Sequence, residues 1–294
     1  MTSNISSSRT AALFALVAVT AIWGSTFLVV KNAIALVPVM DFLAVRFTLA
    51  AVVMFALRPR CLRGISRRGV LRGVGLGFAL GAGYVTQTYG LLTASPSVSA
   101  FITGTFVAFT PLISWVLRRR GIDRNAWLGV SMALIGLALI SLRGWSLGSG
   151  ELLTLACAFF FAVHIVGLGE WAPGETAYGL AFIQIATVAA VSLVFAAPGG
   201  FQLPSRFDVW GAVALTAVLA TALAFLIQTW AQSLLAPTLA AVVMTMEPVF
   251  AGIFGVTLGG DRLTVRIVGG AVCILAAMLV VQLGQRRDFE RSSA

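Results

Sequence analysis

Residues 235–260 read LAPTLAAVVMTMEPVFAGIFGVTLGG. The run is apolar over more than the ~20 residues that span a bilayer. Yet Glu247 and Pro248 stand side by side near its middle. A carboxylate at the centre of a span costs about 2.5–3.5 kcal/mol on insertion scales. The neighbouring proline removes a helix hydrogen bond and bends the backbone. Two costly features in adjacent positions mark a site rather than a plain anchor. A weaker echo of the stretch, at residues 94–120, decides the architecture.

The composition sets the class. Of 294 residues, 59% are hydrophobic and 10% charged, where soluble domains carry about 25% charged residues. This is the composition of a polytopic membrane protein. The net charge of +10 does not imply nucleic acid. The basic residues sit in short loops beside apolar runs, as at an anionic cytoplasmic membrane face. Cys61, Cys157 and Cys273 have no motif spacing, so neither a disulfide nor a metal site is expected. The first apolar run continues to Val30, longer than a signal-peptide core, and reads as a retained first span.

Ten spans can be laid out: residues Ala11–Ala33, Met40–Leu57, Leu71–Leu92, Ser97–Leu117, Ala126–Leu142, Glu151–Leu168, Ala177–Ala197, Val209–Gln232, Thr238–Leu258 and Val265–Leu283. Little chain is left for a soluble domain. Arg58 to Arg72 follow span two, Arg118 to Arg124 follow span four, Arg286, Arg287 and Arg291 close the chain, and Arg9 precedes span one. With ten spans all four regions fall on one side, which makes both termini cytoplasmic. The loops after spans six and eight carry no Lys or Arg, so in the second half the orientation rests on the C-terminus.

The echo is a repeat. Gln87-Thr88-Tyr89 returns as Gln228-Thr229-Trp230, and Ser95-Pro96 as Ala236-Pro237, each 141 residues on. Thr110-Pro111-Leu112 matches Glu247-Pro248-Val249 at 137 residues, and Gly121-Ile122-Asp123 matches Gly259-Gly260-Asp261 at 138. The second copy is therefore about one helical turn shorter. Five spans per half is an odd number, so the second half enters the membrane from the opposite side. The expected fold is all-α: ten transmembrane helices as two inverted five-helix repeats. The expected divisions are a cytoplasmic N-terminus (1–10), a first repeat (11–142), a connecting loop (143–150), an inverted second repeat (151–284) and a cytoplasmic C-terminus (285–294). In such folds the binding site lies near the midplane between the halves.

Ile22-Trp23-Gly24-Ser25-Thr26-Phe27 with Lys31 in span one, Arg46-Phe47 in span two, Pro111-Leu112 in span four, and Glu247-Pro248 with Leu258 to Thr264 around span nine carry a resemblance. It runs from about residue 12 to 283. The chain resembles the drug/metabolite transporter superfamily in its ten-span EamA branch. Gly260-Asp261 replaces a usual Gly-Glu, and His164 stands in span six where a plainer apolar helix is usual. Within the branch the likeness is to bacterial inner-membrane amino-acid exporters, the aromatic amino-acid exporters among them. The resemblance implies alternating access and a small-molecule substrate. Exporters of drugs, nucleobases or sugar derivatives are the alternative within transport, and a membrane-embedded enzyme or lipid-handling protein is the alternative outside it.

Each candidate residue carries two readings. Glu247 cannot snorkel from mid-span, so it is either a tie to a neighbouring helix or a substrate or proton site. Lys31 either snorkels to the interface or meets a substrate carboxylate. Gln87 and Gln228 occupy matched places in the halves and read as cavity lining. Trp23 and Trp230, with Tyr84 and Tyr89, either pack the bundle or stack an aromatic or apolar substrate. His164 is a structural residue or, beside Glu247, a proton-coupling candidate. Arg46 and Asp41 are expected to pair with each other or with Lys31. Pro111 and Pro248 are symmetric bend points and candidate hinges. Trp127, Trp145, Trp171 and Trp210 read as interface anchors. Span eight gathers Thr221, Phe225, Gln228 and Gln232 on one face, and span four gathers Ser99, Thr103, Phe106, Thr110 and Ser114. No phosphate loop, histidine cluster or nucleophile triad is present, so no ATP, metal, cofactor or catalytic residue is expected. The expected partners are a small molecule and the lipid bilayer, with the protein a monomer.

Overall fold

A computed structural model describes residues 2–94, 96–118, 124–141, 148–257 and 264–293. Gly121-Ile122-Asp123 with its match Gly259-Gly260-Asp261, Trp145 and most of the 143–150 connection lie outside the described residues. In hydrocarbon every backbone N–H and C=O needs an internal partner, and an apolar chain answers by becoming helical. The helices are α1 (Thr2–Ile34), α2 (Val39–Leu57), α3 (Arg67–Thr93), α4 (Pro96–Gly104), α5 (Phe106–Arg118), α6 (Arg124–Ser141), α7 (Ser149–Trp171), α8 (Ala177–Ala196), α9 (Phe207–Ala217), α10 (Ala224–Gln232), α11 (Pro237–Met244), α12 (Met246–Thr257) and α13 (Val265–Ser293). Among the described residues there is no strand.

These helices make ten spans, because three spans are interrupted. Span four is α4 and α5, broken at Thr105. Span eight is α9 and α10, joined by a π-helical turn at Val218–Leu223. Span nine is α11 and α12, broken at Thr245. Among the described residues, six stretches qualify as spans on length and hydropathy alone: Ser8–Ile34, Val39–Leu57, Val98–Leu117, Ser149–Trp171, Ala177–Gly199 and Phe207–Gln232. The helix α3 is long enough, but its arginines, glycines, Gln87 and Thr88 dilute its apolar character. The repeated prolines have a local meaning: Pro96 and Pro237 each occupy the first position of a helix, where no N–H is needed and φ is already set.

The packing repeats across the halves. Exchanging the halves carries span one onto span six, two onto seven, and so on. The helix α3 lies on α7 and α8. The mates of those contacts are α1 on α10, and α2 on α9 and the π-turn. The contact of α1 with α12 has its mate in α7 against α4 and α5. The pairs α2–α8 and α6–α13 are their own mates. The result is a bundle of two inverted five-helix repeats with its centre where α1, α3, α7 and α10 approach.

Backbone approach at glycine holds the repeats together. A Cβ on Gly77 of α3 would lie 2.5 Å from Thr187 Cβ and 2.9 Å from the Gln184 carbonyl oxygen of α8, whereas a Cβ on Gly75 meets nothing within 4 Å. Leucine at position 77 therefore forces α3 and α8 apart. Overpacking of this kind costs about 1–3 kcal/mol, while leucine at position 75 points into open space. Gly77→Leu is expected to lower the melting temperature of the detergent-purified protein, and Gly75→Leu to leave it in place. Equal melting of the two variants would refute the account of this interface.

Candidate functional site

Side chains from both halves line a narrow cavity of about 60 Å³. Trp23, Thr26 and Phe27 come from α1, Arg46 from α2, Tyr84 and Gln87 from α3, and Phe106 from α5. Phe161 and His164 come from α7, Phe225 and Gln228 from α10, Met244 from α11, and Glu247 from α12.

The walls are aromatic. Trp23 and Phe225 have ring centroids 5.5 Å apart. Tyr84 meets Phe161 edge-on at 5.5 Å and Phe225 at 6.0 Å. Trp23 is pinned, because its indole Nε1–H donates to the Ala220 carbonyl at 2.9 Å. That carbonyl lies in the π-turn, and so does Thr221, whose hydroxyl accepts from Arg46 Nε at 2.9 Å. Single π-turns within α-helices concentrate at functional sites. Here one turn of the second half fixes two cavity residues of the first.

Two buried ionisable residues line this space. Arg46 is 3% exposed. Besides Thr221, its Nη2 reaches Tyr84 Oη at 3.5 Å, and its guanidinium carbon stands 4.8 Å from the centre of the Tyr84 ring. Arg46 and Asp41 do not pair: Asp41 Oδ2 instead accepts from the Gln202 backbone N–H at 3.1 Å. Glu247 is 9% exposed and its carboxylate has no hydrogen-bond partner among the described residues. Its backbone is held by α1, since a Cβ on Gly24 would lie 2.6 Å from the Glu247 carbonyl oxygen. The Trp23-Gly24 pair therefore both lines the cavity and seats Glu247.

The amides are only partly used. Gln87 Nε2 donates to Thr103 Oγ1 at 3.1 Å. Gln228 Nε2 donates to Gln232 Oε1 at 2.9 Å and lies 3.6 Å from Met244 Sδ, while Gln228 Oε1 is buried without a partner. Gln232 in turn donates to the Ile165 carbonyl at 2.9 Å. His164 Nε2 lies 2.6 Å from Gln184 Oε1.

Of the residues singled out in the sequence, Trp23, Tyr84, Gln87, His164, Gln228 and Glu247 line this one cavity. Lys31 does not; its Nζ donates to the Ala94 carbonyl at 2.6 Å, tying the end of α1 to the α3–α4 connection. Trp230 lies outside the lining at 36% exposed, and Tyr89 is exposed at 39%. Pro111 is buried inside α5, six residues after the break at Thr105, while Pro248 lies in the first turn of α12, three after the break at Thr245. Arg46 and Phe161 complete the site. Arg46 carried a legible signal, an ionisable residue well inside a span, but the nearby Asp41 drew the reading toward an ion pair. Phe161 sits in an apolar run, Phe159-Phe160-Phe161, that gives no periodic hint of which ring turns inward.

The fold has known counterparts. A solved crystal structure superposes with a TM-score of 0.77 at 20% identity, covering 96% of this chain and 98% of that one. A protein of Archaeoglobus fulgidus described as an "Uncharacterized transporter" is 33% identical over 263 residues, which is 89% of this chain and 82% of that protein. The profile of the EamA-like transporter family matches residues 10–142 and again 148–283, once in each half. The chain belongs to the EamA-like transporter family and is a multi-pass membrane transporter of small molecules, not an enzyme.

Proposed function

We propose that the protein exports neutral amino acids, aromatic ones foremost, by alternating access across a cytoplasmic (inner) membrane, as a monomer with both termini in the cytoplasm. One observation carries this reading: a single cavity between the halves holds one buried cation, Arg46, and one buried carboxylate, Glu247, among aromatic rings. A zwitterion carries the complementary pair of charges. Its carboxylate is received by the N–H groups of Arg46 that Thr221 and Tyr84 leave free, a planar donor array suited to a carboxylate. Its ammonium is received by Glu247 and Gln228 Oε1. Its side chain lies against Trp23, Tyr84, Phe161 and Phe225. Lys31, engaged at Ala94, stands in this reading as a clamp at the cavity's end rather than as the carboxylate ligand.

The charge-bearing groups are divided between the halves, Arg46 on the first and Glu247 on the second. A bound zwitterion therefore spans the seam along which the halves rock. The breaks at Thr105 and Thr245, each followed by a proline (Pro111 and Pro248), lie in the spans that line the seam. Glu247, with His164 lining the same cavity, is also the group through which a proton gradient drives export: a carboxylate that takes a proton when it releases an amine couples the two movements.

Two outcomes are expected from purified protein in liposomes. Glu247→Gln should lower the transport rate of labelled tryptophan at least about tenfold, the loss expected when a charged hydrogen bond to the ammonium is removed. Its melting temperature should hold or rise, because the carboxylate has no protein partner to lose. A variant that melts earlier would make Glu247 a structural tie instead. Arg46→Lys keeps the charge but loses the planar donor array, and should raise the KM for tryptophan about tenfold. An unchanged KM would remove Arg46 from the carboxylate's site.

A further inference from the structure

His164 holds more information than its burial suggests. Gln184 Nε2 donates to the Leu180 carbonyl at 3.0 Å. A carbonyl only accepts, so this bond fixes which end of the Gln184 amide is which. The other end, Oε1, faces His164 Nε2 at 2.6 Å and must accept from it. In its neutral form His164 is therefore the tautomer protonated on Nε2, which leaves Nδ1 as an acceptor. The imidazole lines the cavity, and Nδ1 has no partner among the described residues.

The ring belongs to the aromatic wall. His164 meets Phe225 edge-on at 6.1 Å, and Phe225 touches both Trp23 and Tyr84. Gln228 Oε1, also without a partner, belongs to a side chain held beside Met244, which Gln228 Nε2 contacts at 3.6 Å. His164 Nδ1 is an acceptor set among rings. Resting on the amino-acid reading above, we propose that His164 Nδ1 accepts a hydrogen bond from the substrate's side chain, so that the cavity selects rings bearing an N–H or O–H donor, indole and phenol, over phenyl. Gln184 is the positioning residue that holds the acceptor tautomer.

A buried acceptor left unmet by a donor-less ring weakens binding on the order of tenfold. The test uses the wild-type protein first. Binding to detergent-purified protein is measured by calorimetry for two pairs: tryptophan with 1-methyltryptophan, and free indole with 1-methylindole. The N-methyl member of each pair should bind about tenfold more weakly, and phenylalanine should bind as weakly as 1-methyltryptophan. His164→Phe should erase the difference within each pair while tryptophan still binds. Gln184→Leu should shrink it, because the imidazole is then free to place its proton on Nδ1. Equal binding within both pairs in the wild type would overturn the proposal, as would a preference that survives in His164→Phe. Discrimination between the indoles with no binding of any amino acid would uphold the His164 acceptor and sink the amino-acid reading alone. Absence of binding by all four compounds would sink both.

Discussion

Backbone-to-backbone contact across the seam is the constraint on which the rest of this protein depends. In a bilayer, apolar side chains gain nothing by leaving lipid for another helix, so association relies on close packing. The halves meet where side chains are missing. Gly90 of α3 and Gly150 of α7 are reciprocal: a Cβ on either would lie 2.8 or 2.7 Å from the other's carbonyl oxygen. A Cβ on Gly136 of α6 would lie 2.7 Å from the Gly270 carbonyl oxygen of α13. Gly24 does the same for α1 against Glu247 of α12. Gly83 leaves room for the Phe161 ring, which can then form a cavity wall. The aromatic lining is thus a consequence of glycine placement. Large rings fill the space that the close contacts leave between them.

Once the helices are fixed this closely, polar groups become expensive and their partners decide where they sit. Hydroxyls in the spans mostly return to their own helix, as Thr20 to Val17, Thr110 to Phe106 and Thr216 to Ala212. Such bonds satisfy the group without linking helices. Four of the bonds that cross between distant spans involve cavity-lining residues: Trp23 to Ala220, Arg46 to Thr221, Gln232 to Ile165 and His164 to Gln184; Tyr178 to Met54 and Lys31 to Ala94 tie the bundle elsewhere. At the cavity, Arg46 of the first half keeps N–H groups beyond those that Thr221 and Tyr84 engage, and Gln228 Oε1 of the second half is buried without a partner. A bundle built only to be stable gains nothing from leaving them unpaired.

The ten spans and the inverted repeat were legible because they rest on patterns the bilayer enforces: apolar length, parity and recurring prolines. Glu247, Gln87 and Gln228 were legible because a polar group in hydrocarbon needs a reason. Lys31 and Trp230 were ambiguous on the same evidence, since a lysine at a span's end and a tryptophan in an apolar helix suit either surface or site. Their partners, Ala94 for one and the outer face for the other, depend on helix rotation, which hydrophobicity all round a helix leaves undetermined. Arg46 shows the complementary failure. Asp41 is near in sequence, yet five residues along a helix is the wrong angular step for a shared face, and the acid turns to the Gln202 amide instead. The π-turn left no mark in the sequence. Its residues, VLATAL, would suit an ordinary helix, and only Trp23 and Arg46 approaching from the other half give its displaced groups a use.

The matched interruptions explain why the mid-membrane carboxylate stands where it does. Thr105 and Thr245 lie 140 residues apart, close to the 141 of the matched helix starts, and behave alike. Each hydroxyl donates to the carbonyl three residues earlier, Thr105 to Ile102 at 2.5 Å and Thr245 to Val242 at 2.6 Å. The repeat therefore survives through the breaks and slips only between break and proline, where the second half is a turn shorter. In α5 the proline falls inside the helix. In α12 it falls in the first turn, where no N–H is missed. The slip brings Glu247 into that same first turn, at a helix N-terminus created in mid-bundle. The first half has an equivalent terminus at Phe106 but places Phe, Val and Ala in its opening turn. One turn of chain lost from a duplicated segment accounts for both the aligned carboxylate and the inequality of the two halves.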